Sequence, residues 1–395
     1  VPAFARSKSN RIATRDLVEF EPKDISLKAL VIGGTGPTGP YLVNGLIAQG
    51  YDVSILHRGT HDSDEIPASV PRIIGDPHFR ETLCVALAGR QFDLIIATYG
   101  RIRYIAEIVG EHTERLITVG GAPCYRGVLQ PETLFPKGLG IPLAEEASKV
   151  PDEVEFRFGY LVRLAEEAVM QGHAQGRYSA THFRYPVVYG PRQLTPSVWT
   201  IMRRFIDKRP HIVLPDGGLT LTSRGYSENV AHAVLLAAQK PGAAAGQVYN
   251  CADELQLTMA QWIEVVGRAM ASEVEVVGVP DRFAYPARSL MMFFGPSNHQ
   301  IFDLYKIKSE LGYRDLVSPL EAMARTVRWY QDNPPQEDEK FRDLLAENYR
   351  LEDEIAAVYR DSCAKLSAIE HTPLDFHHPY PHPKKPGLDR DHRAR

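Results

Sequence analysis

Three glycines spaced three residues apart, Gly33, Gly36 and Gly39, stand where a short apolar run (29–32) gives way to an amphipathic one with Tyr41, Leu42, Leu46 and Ile47 apolar. Strand, tight glycine turn and helix in that order cradle the pyrophosphate of a dinucleotide. Gly33 permits a turn closed to residues with a Cβ. Gly36 lets the main chain come up to the phosphates, and Gly39 lets the helix lie close on the strand. Thr35, Pro37 and Thr38 complete the loop. The helix N-terminus then offers unpaired N–H groups and the positive end of its dipole to the anion. Arg58 closes the next alternating run, 51–59. An acidic residue at that tip would accept from the ribose 2′-hydroxyl and repel a 2′-phosphate, whereas Arg58 can pair with the phosphate. NADP(H) is therefore expected ahead of NAD(H).

Around this stretch the chain carries the elements such a site needs. A helix over 40–49 stops at Gly50, a fitting C-cap. Helical spacing returns at 101–110, less regularly, and at 155–170. It returns again at 339–359, where Phe341, Leu344, Leu345, Tyr349, Ile355 and Val358 punctuate a charged segment. Residues 371–395 are rich in Pro and His, but the prolines break any helical ligand spacing, so no metal site is expected. Residues 1–26 read as an arm ahead of the first strand, without the apolar core of a secretory signal. The 395 residues suffice for one large core or two smaller ones. A hydrophobic content of 44% and a charged content of 24% are those of an ordinary globular protein. A net charge of −4 supplies no basic field for nucleic acid or an anionic membrane. No apolar run is long enough to span a bilayer. Cys84, Cys124, Cys251 and Cys363 make neither a disulfide framework nor a metal spacing, which suits a reducing compartment and a cytoplasmic location.

The Gly-x-x-Gly-x-x-Gly spacing resembles that of the extended short-chain dehydrogenases/reductases, the superfamily of the nucleotide-sugar epimerases and dehydratases. Ordered similarities follow it. R-I-I-G-D at 72–76 resembles the third strand, which would set Asp76 beside the adenine. F-D-L-I-I-A-T at 92–98 resembles the fourth, with Ala97, Thr98 and Tyr99 passing under the phosphates and the nicotinamide ribose. R-L-I-T-V-G-G at 115–121 is similar to the fifth. F-R-Y-P-V-V-Y-G-P-R at 183–192 is similar to the sixth and its turn, bringing Pro186 and Val187 to the nicotinamide. L-P-D-G-G at 214–218, G-Q-V-Y-N-C at 246–251 and the segment 306–329 carry the likeness on to Trp329. The resemblance implies a doubly wound, Rossmann-type α/β sheet over 27–191, with segments near 222–252 returning to it. It implies a smaller substrate lobe over 192–330, followed by a helical extension and the Pro/His-rich tail over 331–395. The cofactor would lie over 33–39 with the substrate between it and the lobe.

The likeness breaks at the reacting groups. In the family the fifth strand runs into Ser-Ser-Ala-x-Val-Tyr-Gly, whose Ser or Thr bonds the substrate carbonyl; aligned on Tyr125, this chain has Gly121 there. The family's helix reads Tyr-x-x-x-Lys-x-x-x-Glu, with the tyrosine as acid/base and the lysine lowering its pKa and binding the nicotinamide ribose. Here those positions read Gly159 and Arg163. Tyr160 comes one residue late, about 100° round the helix. Against the family pattern, the substitute proton donors are Tyr160, then Tyr125, with Cys124 weaker, and Arg163 can still hold the ribose as a fixed charge. The resemblance implies hydride transfer at a carbinol or carbonyl carbon of a small organic substrate, either as a net oxidoreductase or as a redox-neutral lyase, isomerase, epimerase or dehydratase. Relatives that keep the nucleotide but act as sensors or bind RNA are the alternative. Tyr99, Arg126, Tyr189, Arg192 and Arg224 are the substrate-side candidates, the arginines for an anionic group, with the loops 125–142 and 189–195 as the pocket lining. The expected partners are a small-molecule substrate and further copies of the chain, as a homodimer or higher homo-oligomer; neither nucleic acid nor membrane is expected.

Overall fold

The computed structural model describes residues 26–60, 62–193, 197–291, 294–374, 376, 384–387 and 390. The expected arm at 1–26 lies almost wholly outside the described residues, as do Thr195 and most of the Pro/His-rich tail.

The strands in chain order are β1 (Lys28–Ile32), β2 (Asp52–His57), β3 (Arg72–Ile74), β4 (Leu94–Ala97), β5 (Arg115–Gly121), β6 (Ser179–Tyr185), β7 (Val187–Tyr189), β8 (His211–Pro215), β9 (Arg224–Tyr226), β10 (Gln247–Asn250) and β11 (Glu275–Val279). The helices are α1 (Gly39–Ala48), α2 (Arg80–Leu87), α3 (Ile102–Ile108), α4 (Glu153–Ala174), α5 (Ser197–Ile206), α6 (Ser227–Gln239), α7 (Pro241–Ala244), α8 (Met259–Ala269), α9 (Tyr305–Leu311), α10 (Pro319–Asp332) and α11 (Glu339–Ser367).

Seven strands form one parallel sheet in the order β10-β6-β5-β4-β1-β2-β3. Strands buried on both faces read as continuous apolar runs, which is why L-I-I-A and A-L-V-I carry no polar alternation. The pleat still sorts them. Ala29 and Val31 of β1 face a core with Leu42 and Leu46 of α1 and Val230 and Val234 of α6. Leu30 and Ile32 face the opposite core with Leu83 of α2, Ile105 of α3 and Val169 of α4. The strand order reverses beside β1, and the crevice at such a switch point, outside the strand carboxyl ends, is where open α/β sheets take ligands.

Two helices differ from the expectation at their ends. The helix expected at 155–170 begins at Glu153, because the Asp152 carboxylate accepts from Val154 N and Glu155 N, and it runs on to Ala174. Phe156 interrupts it with φ −161° and ψ 98°. The helix expected at 339–359 continues to Ser367.

The chain divides into two compact units: residues up to 195 with 223–256 and 300–322, and residues 196–222, 257–299 and 323–395. The first holds the seven-stranded sheet and the β7–β9 pair. The second holds the β8–β11 pair with α5, α8 and α11. In the second unit Arg204 of α5 and Glu352 of α11, both fully buried, meet at 2.8 Å.

Candidate active site

The turn after β1 is shaped by its glycines. Gly33 has φ +91°, and a Cβ on it would collide with the Tyr99 side chain. A side chain on Gly39 would overlap the Gly34 carbonyl oxygen, so the close packing is against the turn rather than the strand. Gly36 is different: a Cβ there would come no nearer than 3.6 Å to the Gly33 carbonyl oxygen. Protein packing does not demand this glycine, and the open face beside it fits a phosphate brought up to the main chain. Thr35, Gly36 and Pro37 keep open surface, while Thr38, the N-cap of α1, turns its hydroxyl to Tyr185. Thr98 closes the turn from β4, its N and Oγ1 donating to Ile32 O at 3.0 and 3.3 Å. Ala97, expected against the cofactor, is fully buried in the core below.

At the tip of β2 the exposed Arg58 guanidinium lies 5.4 Å from the centre of the Tyr99 ring. His78 meets the same ring edge-on at 4.9 Å. Asp76 accepts from His78 N and Nδ1 at 2.9 and 2.8 Å. The His78 amide chiefly, with the His78 ring and the Arg58 charge behind it, holds the Asp76 carboxyl below the usual range against the opposing effect of burial. Tyr99, expected on the substrate side, is thus grouped with the tips of β2 and β3.

On α4 the glycine at 159 has a steric cause. A side chain there would run into the Pro123 carbonyl oxygen, with Phe156 Cδ1 at 2.6 Å and Val150 Cγ2 at 2.9 Å. Gly121 is less confined, its nearest neighbours being Pro123 Cδ at 3.3 Å and Tyr185 O at 3.4 Å. Tyr160 is half-buried, with the Arg163 guanidinium 4.9 Å from the centre of its ring. Among the described residues its hydroxyl has no hydrogen-bond partner. Arg163 Nη1 donates to Val150 O at 2.8 Å and Pro151 O at 3.0 Å, and Nε lies 3.3 Å from Glu167.

Tyr125 belongs to a buried polar cluster that the sequence reading did not assemble. Its hydroxyl donates to Asn250 Oδ1 at 2.7 Å and accepts from Arg184 Nη1 at 2.6 Å. Burial pushes its pKa up, despite the Arg184 charge. Arg184 holds Glu166 with Nε on Oε2 at 2.7 Å and Nη2 on Oε1 at 2.8 Å. Lys149 Nζ adds a bond to Oε1 at 2.9 Å. Burial alone would raise the Glu166 carboxyl; the Arg184 hydrogen bonds and charge reverse this and bring it to about 2. His182, wholly buried, shares a 2.7 Å hydrogen bond with Thr118 Oγ1, and burial lowers its pKa to about 4. Burial raises the Cys124 thiol to about 12, which makes it a poor proton donor. One signal for this cluster was in the sequence: His182 and Arg184 alternate with Thr181, Phe183 and Tyr185 in a strand covered on both faces, and a buried charge requires a partner.

The remaining substrate-side candidates are all engaged. Arg126 Nε bonds both Glu155 carboxylate oxygens, at 3.1 and 2.8 Å. Tyr189 is buried and donates to Asp253 Oδ2 at 2.8 Å. Arg192 grips Glu65 through both Nη atoms, at 2.9 Å for Nη2. Arg224 is buried, which lowers its pKa to about 10. Pro186 packs on Gly225, and Val187 opens β7.

Among the described residues no group of His, Cys, Asp and Glu could hold a metal ion, and no helix is long and apolar enough to cross a membrane.

Residues 29–252 match the model of the NAD dependent epimerase/dehydratase family. An uncharacterised protein of Sinorhizobium fredii is 25% identical over 323 residues, 75% of this chain and 87% of that protein. A 4-hydroxy-2-methyl-3-oxo-4-farnesyl-3,4-dihydroquinoline-1-oxide ketoreductase of Stigmatella aurantiaca is 25% identical over 279 residues, 67% of this chain and 79% of that enzyme. Among solved structures, the UDP-glucose 4-epimerase of Thermotoga maritima with UDP-glucose superposes with a TM-score of 0.63 at 18% identity, covering 78% of this chain and 100% of that one. At that identity the superposition speaks for the fold alone.

Proposed function

The chain belongs to the NAD dependent epimerase/dehydratase family, and from that premise we propose that it is an NADP(H)-using enzyme. It transfers hydride at a carbinol or carbonyl carbon of a small organic substrate, with proton-handling groups other than the family's hydroxyl, tyrosine and lysine. The observation that carries the cofactor reading is the β1–α1 turn with Gly36 open and Arg58 exposed at the β2 tip. The residues present fit the dinucleotide: the 33–39 loop and the α1 N-terminus for the pyrophosphate, Arg58 for the 2′-phosphate, Asp76 for the adenine, and Pro186 and Val187 for the nicotinamide. When bound, the cofactor supplies or accepts the hydride. The ketoreductase named above supports carbonyl reduction ahead of a redox-neutral reaction.

The proton donor we favour is Tyr160. Its hydroxyl is unengaged among the described residues, and the Arg163 guanidinium lies 4.9 Å from the centre of its ring. Tyr125 fits a structural role better, since Arg184 and Asn250 use its hydroxyl in the protein interior. Titration of NADPH and NADH into wild type and Arg58→Ala tests the cofactor reading. A charge-assisted bond to the 2′-phosphate, worth about 1.5–3 kcal/mol, gives wild type roughly ten- to hundredfold tighter NADPH binding than the variant, with NADH unchanged. Equal affinities for the two cofactors in wild type would remove the NADP preference.

A further inference from the structure

The buried cluster has a charge imbalance that packing alone does not require. Glu166 carries one negative charge and bonds two cations, Arg184 and Lys149. The Arg184–Glu166 pair is already complete, with both carboxylate oxygens engaged, and Arg184 is only 2% exposed. The surplus positive charge is therefore presented by Lys149, whose side chain keeps 31% of its surface.

Its place in the sheet is fixed by register. Arg184 of β6 pairs with Gly120, one residue before the end of β5, and His182 Nε2 lies 2.6 Å from where a Gly120 side chain would begin. Lys149 is held beside this strand end by its own backbone. It bridges Tyr125, and the flanking bonds run from Arg126 N to Ser148 O and from Val150 N to Cys124 O. The strand order puts β5 and β6 on the far side of β1 from Arg58 and β2. A dinucleotide whose pyrophosphate rests on the β1–α1 turn and whose adenosine reaches Arg58 extends its other half toward β5 and β6. Arg163, the cation at the family's lysine position on α4, donates to Val150 O and Pro151 O and pairs with Glu167.

We propose that Lys149 is a cofactor-binding residue that presents its ammonium to the nicotinamide ribose and the adjoining phosphate. This rests on the NADP(H) reading above. Calorimetric titration of NADPH and of 2′,5′-ADP, which lacks the nicotinamide half, into wild type, Lys149→Met and Lys149→Arg tests it. Lys149→Met should bind NADPH ten- to a hundredfold more weakly and 2′,5′-ADP as wild type does, with Lys149→Arg recovering part of the loss. Lys149→Gln, which keeps a donor for Glu166 but no charge, decides the matter should methionine lower stability. Unchanged NADPH binding in the neutral variants, or an equal loss for both ligands, overturns the proposal and leaves the NADP(H) reading standing. If wild type binds neither ligand, the NADP(H) reading falls and this inference with it.

Discussion

The reacting groups turn on single residues and what surrounds each hydroxyl. Tyr160 and Tyr125 both bear phenols next to an arginine, but only Tyr125 has its hydroxyl bonded on two sides inside the protein. The two tyrosine-to-phenylalanine changes should therefore separate. Tyr160→Phe, which keeps the ring over Arg163, should lower turnover by about a hundredfold or more if it removes the general acid, while the melting temperature stays near that of wild type. Tyr125→Phe leaves Asn250 Oδ1 and one Arg184 N–H without their partner and should cost about 1–3 kcal/mol of stability, with little loss of turnover in the protein that folds. Steady-state rates across pH beside thermal unfolding of both variants decide it; near wild-type turnover in Tyr160→Phe, with an unchanged pH profile, would exclude the displaced tyrosine.

At the scale of elements, buried polar contacts decide how helices are seated. Asp152 starts α4, and Gly159 lets that helix press on the Pro123 carbonyl. In the second unit α11 is held to α5 by Arg204 and Glu352, with Arg204 Nη1 also donating to Thr200 O at 2.8 Å. Burial pushes the Glu352 carboxyl upward in spite of the Arg204 charge, and among the described residues its Oε2 has no hydrogen-bond partner. Such a pair is weak support for stability but costly to halve. Arg204→Met alone should destabilise the second unit by about 3–5 kcal/mol. Arg204→Met with Glu352→Leu should recover most of that loss, because no charge is left unpaired. Denaturant unfolding of the single and double variants measures the difference; equal losses in the two would show that Arg204 acts through packing.

For the molecule as a whole, buried ionisable groups set opposing pH dependences. Asp253 accepts from Tyr226 N, Asn229 Nδ2 and Tyr189 Oη, yet burial raises its pKa to about 7. Its folded state favours the neutral acid, so its contribution is complete below about 3.9, the ordinary value, and is lost as pH rises through about 7. His182, lowered to about 4 by burial, acts the other way: its contribution is complete above about 6.5 and is lost as pH falls through about 4. Glu166 loses its contribution only at stronger acid, toward about 2. Asp253→Asn should therefore flatten the fall in melting temperature between about pH 4 and pH 7, the window set by the ordinary and the raised value. Superimposable pH profiles for wild type and variant would show that Asp253 is ionised in the folded protein throughout.

What the sequence by itself determined is what short-range geometry determines. The β1 run, the glycine turn and α1 lie within one stretch, so their spacing specified both the conformation at Gly33 and the open face at Gly36. Arg58 was legible as a strand-end cation because an alternating run leads directly to it. The parallel sheet was implied by the family resemblance of the ordered strand segments, and its strands, covered on both faces, are those apolar runs. Tertiary structure alone decided why position 159 is glycine, because the obstructing carbonyl belongs to Pro123 in another segment. It alone decided that Tyr125 faces Arg184 and Asn250, that Arg126 and Arg192 are taken by Glu155 and Glu65, and that Lys149 shares Glu166 with Arg184. The physical reason is one of range. Backbone conformation answers to neighbours in sequence, whereas a charged or hydroxyl-bearing side chain answers to whichever partner the packed elements bring to it.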